Sequence, residues 1–171
     1  MPLPSVLPSP RLPDPRRIPV LRWAVAGPGW IAERFVQALK ADTNQRVVAV
    51  DSRSLERARA FAARCDIPKA YDDIADLGTD PEVDVVYVAT PHSHHFPVAL
   101  AAVEAGKHVL VEKPLALNAV EGEKLREAAE SNRILLVEAL WTAFLPKFDV
   151  LRQVIADRIL GKIHTVAANH G

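Results

Sequence analysis

Four short stretches of this 171-residue sequence carry residue types suited to chemistry. They are Gly27-Pro28-Gly29-Trp30-Ile31-Ala32, Asp51-Ser52-Arg53, Thr90-Pro91-His92-Ser93-His94-His95 and Glu112-Lys113-Pro114. The first has the Gly-x-Gly-x-x-Ala spacing of a diphosphate cradle. Gly27 permits a tight turn, Gly29 lets a pyrophosphate approach the backbone, and Ala32 lets the next helix sit close to its strand. Trp30 and Ile31 open that helix, whose free N–H groups and positive dipole end favour an anion. The competing reading is a plain structural glycine turn.

The second stretch bears on which dinucleotide would fit. A site for NAD usually places Asp or Glu about 20 residues beyond the glycines, to accept from the ribose 2′-hydroxyl. Counting from Ala32 reaches Ser52 instead. Ser52 and Arg53 suit a 2′-phosphate, onto which a guanidinium can fork, so NADP(H) is favoured over NAD(H). Asp51 competes, since a slip of one residue would make it the ribose ligand. Strand alternation, however, turns it to the opposite face. Arg53 can also be read as an ordinary solvated charge.

Lys113 follows an apolar run and so falls at the carboxyl end of a strand. Partial burial and a neighbouring cationic nicotinamide would lower its pKa, fitting it to exchange a proton with a substrate hydroxyl. His92, His94 and His95 are dense enough to suggest zinc, but nearly consecutive loop positions seldom converge on one ion. Loop packing or helix capping is the expected role, and no metal site is expected. Cys65 has no histidine arranged around it and reads as a small core residue.

The elements that must hold these residues follow from periodicity. Leu21–Ala26, Val47–Val50, Val83–Ala89, His108–Val111 and Ile134–Val137 are short, nearly continuous apolar runs, as in parallel strands covered on both faces. Between them lie helical stripes. Ile31, Phe35, Ala38 and Leu39 form one, Leu55, Ala58 and Ala62 a second, and His95 to Ala105 a third. A fourth starts at Asn118, with Glu121 placed for a capping box. A fifth carries Phe148, Leu151 and Ile155. Such alternation predicts an α/β fold, a doubly wound parallel Rossmann sheet, with ligands at the carboxyl ends of its strands.

Composition bounds the rest. Twenty-one basic and 21 acidic residues balance, with no basic run, which argues against nucleic-acid or anionic-membrane partners. No apolar stretch is long enough to span a bilayer. A single cysteine excludes an internal disulfide framework and suits a reducing, cytoplasmic setting. Residues 1–19 hold seven of the 14 prolines and read as a disordered leader, the alternative being an arginine-bearing docking element. The Rossmann domain is expected over 20–140.

Taken together, these stretches resemble the Gfo/Idh/MocA oxidoreductase family. The resemblance rests on Gly27–Ala32, Ser52-Arg53, Thr90–His95, the run Ala105-Gly106-Lys107-His108-Val109-Leu110-Val111-Glu112-Lys113-Pro114, and Glu138-Ala139-Leu140-Trp141-Thr142. The last of these is most similar to the dihydrodiol and xylose dehydrogenase branch. The resemblance implies that Lys113 is the catalytic lysine and that Glu112 is its partner near the nicotinamide ribose. It implies a Pro114 whose peptide bond is often cis, and a loop of Thr90, Pro91 and His95 lining the cofactor. It also places Trp141 at the substrate end. Two positions depart from the pattern: Ala143 stands where that branch usually has Arg, and His92 where Asn is commoner.

The family's activity is hydride transfer between a nicotinamide cofactor and a hydroxyl or carbonyl of a small, sugar- or diol-like molecule. Its members are about twice as long as this chain, with a second α/β domain that supplies most of the substrate pocket and commonly a homo-oligomer interface. Here residues 141–171 are expected to form a linking helix and, over Lys162–His170, the first strand of that domain, truncated. The resemblance therefore leaves three readings: the nucleotide-binding half of an oxidoreductase, a dinucleotide-binding module without turnover, or an interaction scaffold on the same fold.

Overall fold

The computed structural model describes residues 6–169. Pro2 and Pro4 of the leader, and His170 of the last expected strand, lie outside them. The chain divides into two compact units, Pro15–Ala139 and, separately, the described parts of 1–14 and 140–171.

The larger unit is a single six-stranded parallel sheet. Its strands are β1 (Arg22–Ala26), β2 (Arg46–Asp51), β3 (Lys69–Tyr71), β4 (Val85–Val88), β5 (His108–Val111) and β6 (Leu136–Glu138), in the order β3-β2-β1-β4-β5-β6. Helices α1 (Trp30–Asp42) and α2 (Leu55–Cys65) cover one face, and α3 (Ile74–Thr79), α4 (His95–Glu104) and α5 (Ala119–Asn132) the other. The order reverses between β1 and β4, which opens the crevice where such sheets bind ligands.

Side-chain alternation builds the two faces. Val25, Val50 and Tyr87 turn toward α1 and α2 and pack with Ala32, Val36, Ala58 and Phe61. Ala24, Ala26, Val86 and Val88 turn the other way, onto Leu77, Ala99, Val103, Leu125 and Ala129. The central strand β4 is buried throughout, as a parallel strand covered on both sides must be. Caps set the helix starts. The Ser54 hydroxyl accepts from Arg57 N–H, an Asp73 oxygen from Ala75 N–H, and Asn118 Oδ1 from Glu121 N–H. Glu121 reaches back to Leu117 N–H, one residue before the position a capping box would use.

Two elements escape the sequence reading, β3 and α3, of three and six residues, which are too short to show a period. One expectation fails locally. Among the described residues Lys162–Asn169 form no strand, because a strand exists only when a neighbour's backbone pairs with it, and none does.

In the smaller unit, α6 (Pro146–Ala156) follows a 3-10 turn over Trp141–Phe144. Gln153 Nε2 donates to Ser9 O at 2.9 Å, and Arg11 N–H to Asp149 Oδ2 at 2.7 Å.

Candidate dinucleotide-binding site

The strand ends are laced across the sheet, which brings the chemical residues of the larger unit onto one edge. Gly27 N–H donates to Asp51 O, Ala89 N–H to Ala26 O, Glu112 N–H to Val88 O, and Ala139 N–H to Val111 O, at 2.7 to 3.0 Å. The segments after β1, β2, β4, β5 and β6 therefore sit side by side.

The two glycines after β1 differ in what they do. Gly27 has φ +96°, and a Cβ there would stand 2.8–2.9 Å from the backbone of Ala89 and Thr90. Its bareness serves the protein itself, letting β1 turn against the end of β4. Gly29 has open space where its Cβ would be. It begins α1 with no side-chain cap, so the amides of Trp30, Ile31 and Ala32 have no intrahelical acceptor. Ala32 is fully buried against the sheet, whereas Trp30 is 71% exposed and Ile31 half-buried.

After β2, Ser52 is buried and its N–H donates to Tyr71 O. Arg53 is exposed, and its Nη1 lies 3.5 Å from His94 Nε2. Asp51 ends β2 as a buried carboxyl whose Oδ1 has no partner among the described residues. Burial, with Asp73 and Asp72 nearby, pushes its pKa from 3.8 up to about 6.

After β4, Thr90 is half-buried, and its Oγ1 is the second buried polar atom left without a partner. Pro91 precedes a 3-10 turn, His92–His94. His95 has no exposed surface, so it touches the crevice only through what it holds: Nδ1 lies 2.6 Å from Pro114 O and Nε2 2.9 Å from Thr90 O. It ties the loop after β4 to the loop after β5.

After β5, Glu112 is half-buried and Oε1 accepts from Tyr87 Oη at 2.6 Å. Tyr87 stacks on Phe35 at 4.0 Å, and burial followed by the Glu112 carboxylate holds its phenol well above its usual range. This tether, invisible to motif reading, fixes Glu112 from beneath the sheet. A lone tyrosine in the otherwise aliphatic run Val85–Val88 is its one sequence sign. The Lys113–Pro114 peptide is cis. Leu115 N–H then donates to Glu138 Oε1 at 2.9 Å.

Lys113 corrects one expectation. Its side chain is exposed, with no bonding partner among the described residues, so the expected partial burial is not seen. Strand position tells where a lysine stands, but not how much of the chain covers it. Trp141 lies in the smaller unit and is 64% exposed. Cys65 is half-buried, and burial raises its thiol pKa. Among the described residues no three His, Cys, Asp or Glu side chains are arranged to hold a metal. No helix among them is long and apolar enough to cross a membrane.

The residues present fit a dinucleotide. Uncapped amides at α1, a bare backbone at Gly29 and an orphaned hydroxyl at Thr90 lie on the strand ends flanking the order reversal, and an exposed guanidinium at Arg53 lies at the end of the next strand, β2. Fold and site together define a nucleotide-binding Rossmann domain of the oxidoreductase kind.

Comparison with known proteins narrows the class. A family model described as "Oxidoreductase family, NAD-binding Rossmann fold" matches residues 21–139, and the chain belongs to that family, Gfo/Idh/MocA. It is 41% identical over 153 residues to trans-1,2-dihydrobenzene-1,2-diol dehydrogenase of Sus scrofa, covering 88% of this chain and 46% of the relative. The chain spans about half the length of the curated relatives it matches. Among solved structures, an NAD binding oxidoreductase from Klebsiella pneumoniae is 28% identical with TM-score 0.78, over 84% of this chain and 40% of that one. A mutant 3-ketoreductase from Actinomadura kijaniata, in complex with TDP-benzene and NADP, is 31% identical with TM-score 0.73, over 85% and 45%.

Proposed function

We propose that this chain is the nucleotide-binding part of an NADP-preferring dehydrogenase acting on a hydroxyl or carbonyl of a diol- or sugar-like molecule. The observation that carries the reading is the meeting of Gly29, Thr90, Arg53 and Lys113 on one sheet edge, at the ends of β1, β4, β2 and β5. A bound nicotinamide cofactor supplies a hydride acceptor or donor. The α1 amides and Gly29 hold its diphosphate, and Ser52 and Arg53 receive the 2′-phosphate. Thr90 Oγ1 and Pro91 line the middle of the crevice, and His95 stiffens it from below. Glu112, tethered by Tyr87, sets the backbone of Lys113, whose Nζ takes the proton from an alcohol substrate or returns it to a carbonyl. The single cysteine suits a reducing, cytoplasmic compartment.

A second reading, dinucleotide binding without turnover, draws support from the exposed Lys113 ammonium, which makes no hydrogen bond or ion pair among the described residues. One assay separates the two. Purified protein is given NADP+ and a panel of trans-dihydrodiols and sugars, and reduced nicotinamide is followed by absorbance. Substrate-dependent NADPH formation that Lys113→Ala abolishes supports the dehydrogenase. Saturable NADPH binding with no turnover on any alcohol overturns it in favour of the binding module.

A further inference from the structure

The proposed 2′-phosphate contact rests on Arg53, a long exposed side chain at the end of β2. A free guanidinium on such a stem samples many rotamers, and ordering it on a ligand costs affinity. In this chain the guanidinium has a neighbour from another strand end: its Nη1 lies 3.5 Å from Nε2 of His94, on the turn after β4. Arginine can only donate, so Nε2 is the acceptor. The ring hydrogen is then on Nδ1, which lies 3.0 Å from Ser93 Oγ, and that hydroxyl accepts it. His94 is half-buried while Ser93 and Arg53 are exposed, so the chain Ser93–His94–Arg53 lies along the surface of the turn and ends in the guanidinium.

We propose that His94 is a positioning residue for coenzyme choice: through Nε2 it holds Arg53 where a 2′-phosphate would arrive. This inference rests on the NADP reading above. It assigns a role to a histidine that neither the glycine turn nor the lysine loop accounts for. A structural role in the turn would move both coenzymes alike, whereas a role through Arg53 moves only the phosphorylated one.

The test is fluorescence titration of the purified protein with NADPH and with NADH, for the native chain, His94→Ala, His94→Gln, Arg53→Ala and the Arg53→Ala/His94→Ala pair. His94→Ala should weaken NADPH binding roughly two- to tenfold, the range expected for one hydrogen bond, and leave NADH binding unchanged. His94→Gln, whose amide oxygen can accept from the guanidinium, should recover most of the loss. In the Arg53→Ala background, His94→Ala should add nothing. Equal weakening of both coenzymes, no change for NADPH, or full additivity with Arg53→Ala would each overturn the role of His94 while leaving the NADP reading intact. If Arg53→Ala itself leaves the NADPH to NADH ratio unchanged, the 2′-phosphate reading falls and this inference with it.

Discussion

Asp51 gives the most quantitative expectation. Its carboxyl is buried at the end of β2 with one oxygen unpartnered, and burial, with Asp73 and Asp72 adding like charge, raises its pKa to about 6 from 3.8. The folded group keeps its proton to higher pH than the unfolded group does. Below pH 3.8 both forms are protonated, and Asp51 contributes no pH dependence. As pH rises from there through about 6, the unfolded chain ionises first and stability falls; above that the penalty is constant. At about 1.4 kcal/mol per pH unit, the gap amounts to roughly 3 kcal/mol at pH 8. Asp51→Asn removes the charge at nearly constant volume, although its buried amide retains some desolvation cost, leaving an expected gain of about 1–3 kcal/mol. For a chain of this size that is a rise in Tm of roughly 3–10 °C at pH 8, shrinking toward zero by pH 4. Thermal melts of both proteins from pH 4 to 8 measure it. A difference that is the same at every pH, or a variant less stable than the native chain at pH 8, would refute the electrostatic account of this strand end.

Four further expectations follow from the same strand ends. Gly27→Ala should destabilise the fold by at least about 2 kcal/mol in a denaturant melt, because a Cβ meets backbone at 2.8–2.9 Å in a left-handed conformation. Gly29→Ala should leave the melt unchanged and weaken NADPH binding, since its Cβ would enter open space; a melt that falls instead would contradict the division of roles. His95→Ala removes the ring lodged between the Thr90 and Pro114 carbonyls, with the hydrogen bond it donates, and leaves a cavity in the core, for an expected loss of about 3 kcal/mol in a denaturant melt; a loss below about 1 kcal/mol would show that the tie between the two loops is idle. Lys113→Ala, in a protein with measurable turnover, should lower kcat while leaving coenzyme affinity nearly unchanged, and normal turnover in the variant would remove Lys113 from the chemistry.

Much of this arrangement was legible in the residues because it is written locally. Five of the six strands show as continuous apolar runs, and the glycine turn, the Asn118 cap and the Glu112-Lys113-Pro114 ending are each set within a few residues. What escaped is short or non-local. The strand Lys69–Tyr71 has three residues, one of them charged, and α3 has only six; the Asp73 cap was the available sign of the latter. The unpaired run Lys162–Asn169 shows the converse, since residue preference describes a willingness to pair and cannot supply the neighbour. The bridge made by His95 and the Tyr87 tether beneath Glu112 join residues 5 to 25 positions apart, and these, like the exposure of Lys113, depend on how strands stack. A reader of spacing sees each group but not its partner.

The central claim is that the bare turn opening α1 receives a dinucleotide diphosphate. Calorimetric titration of the purified protein with NADPH, repeated on Gly29→Ala, tests it most directly. Saturable one-to-one binding by the native chain, clearly weakened in a variant that melts normally, is the predicted result. No detectable heat with NADPH, NADH or their oxidised forms, from protein that melts cooperatively, would contradict it.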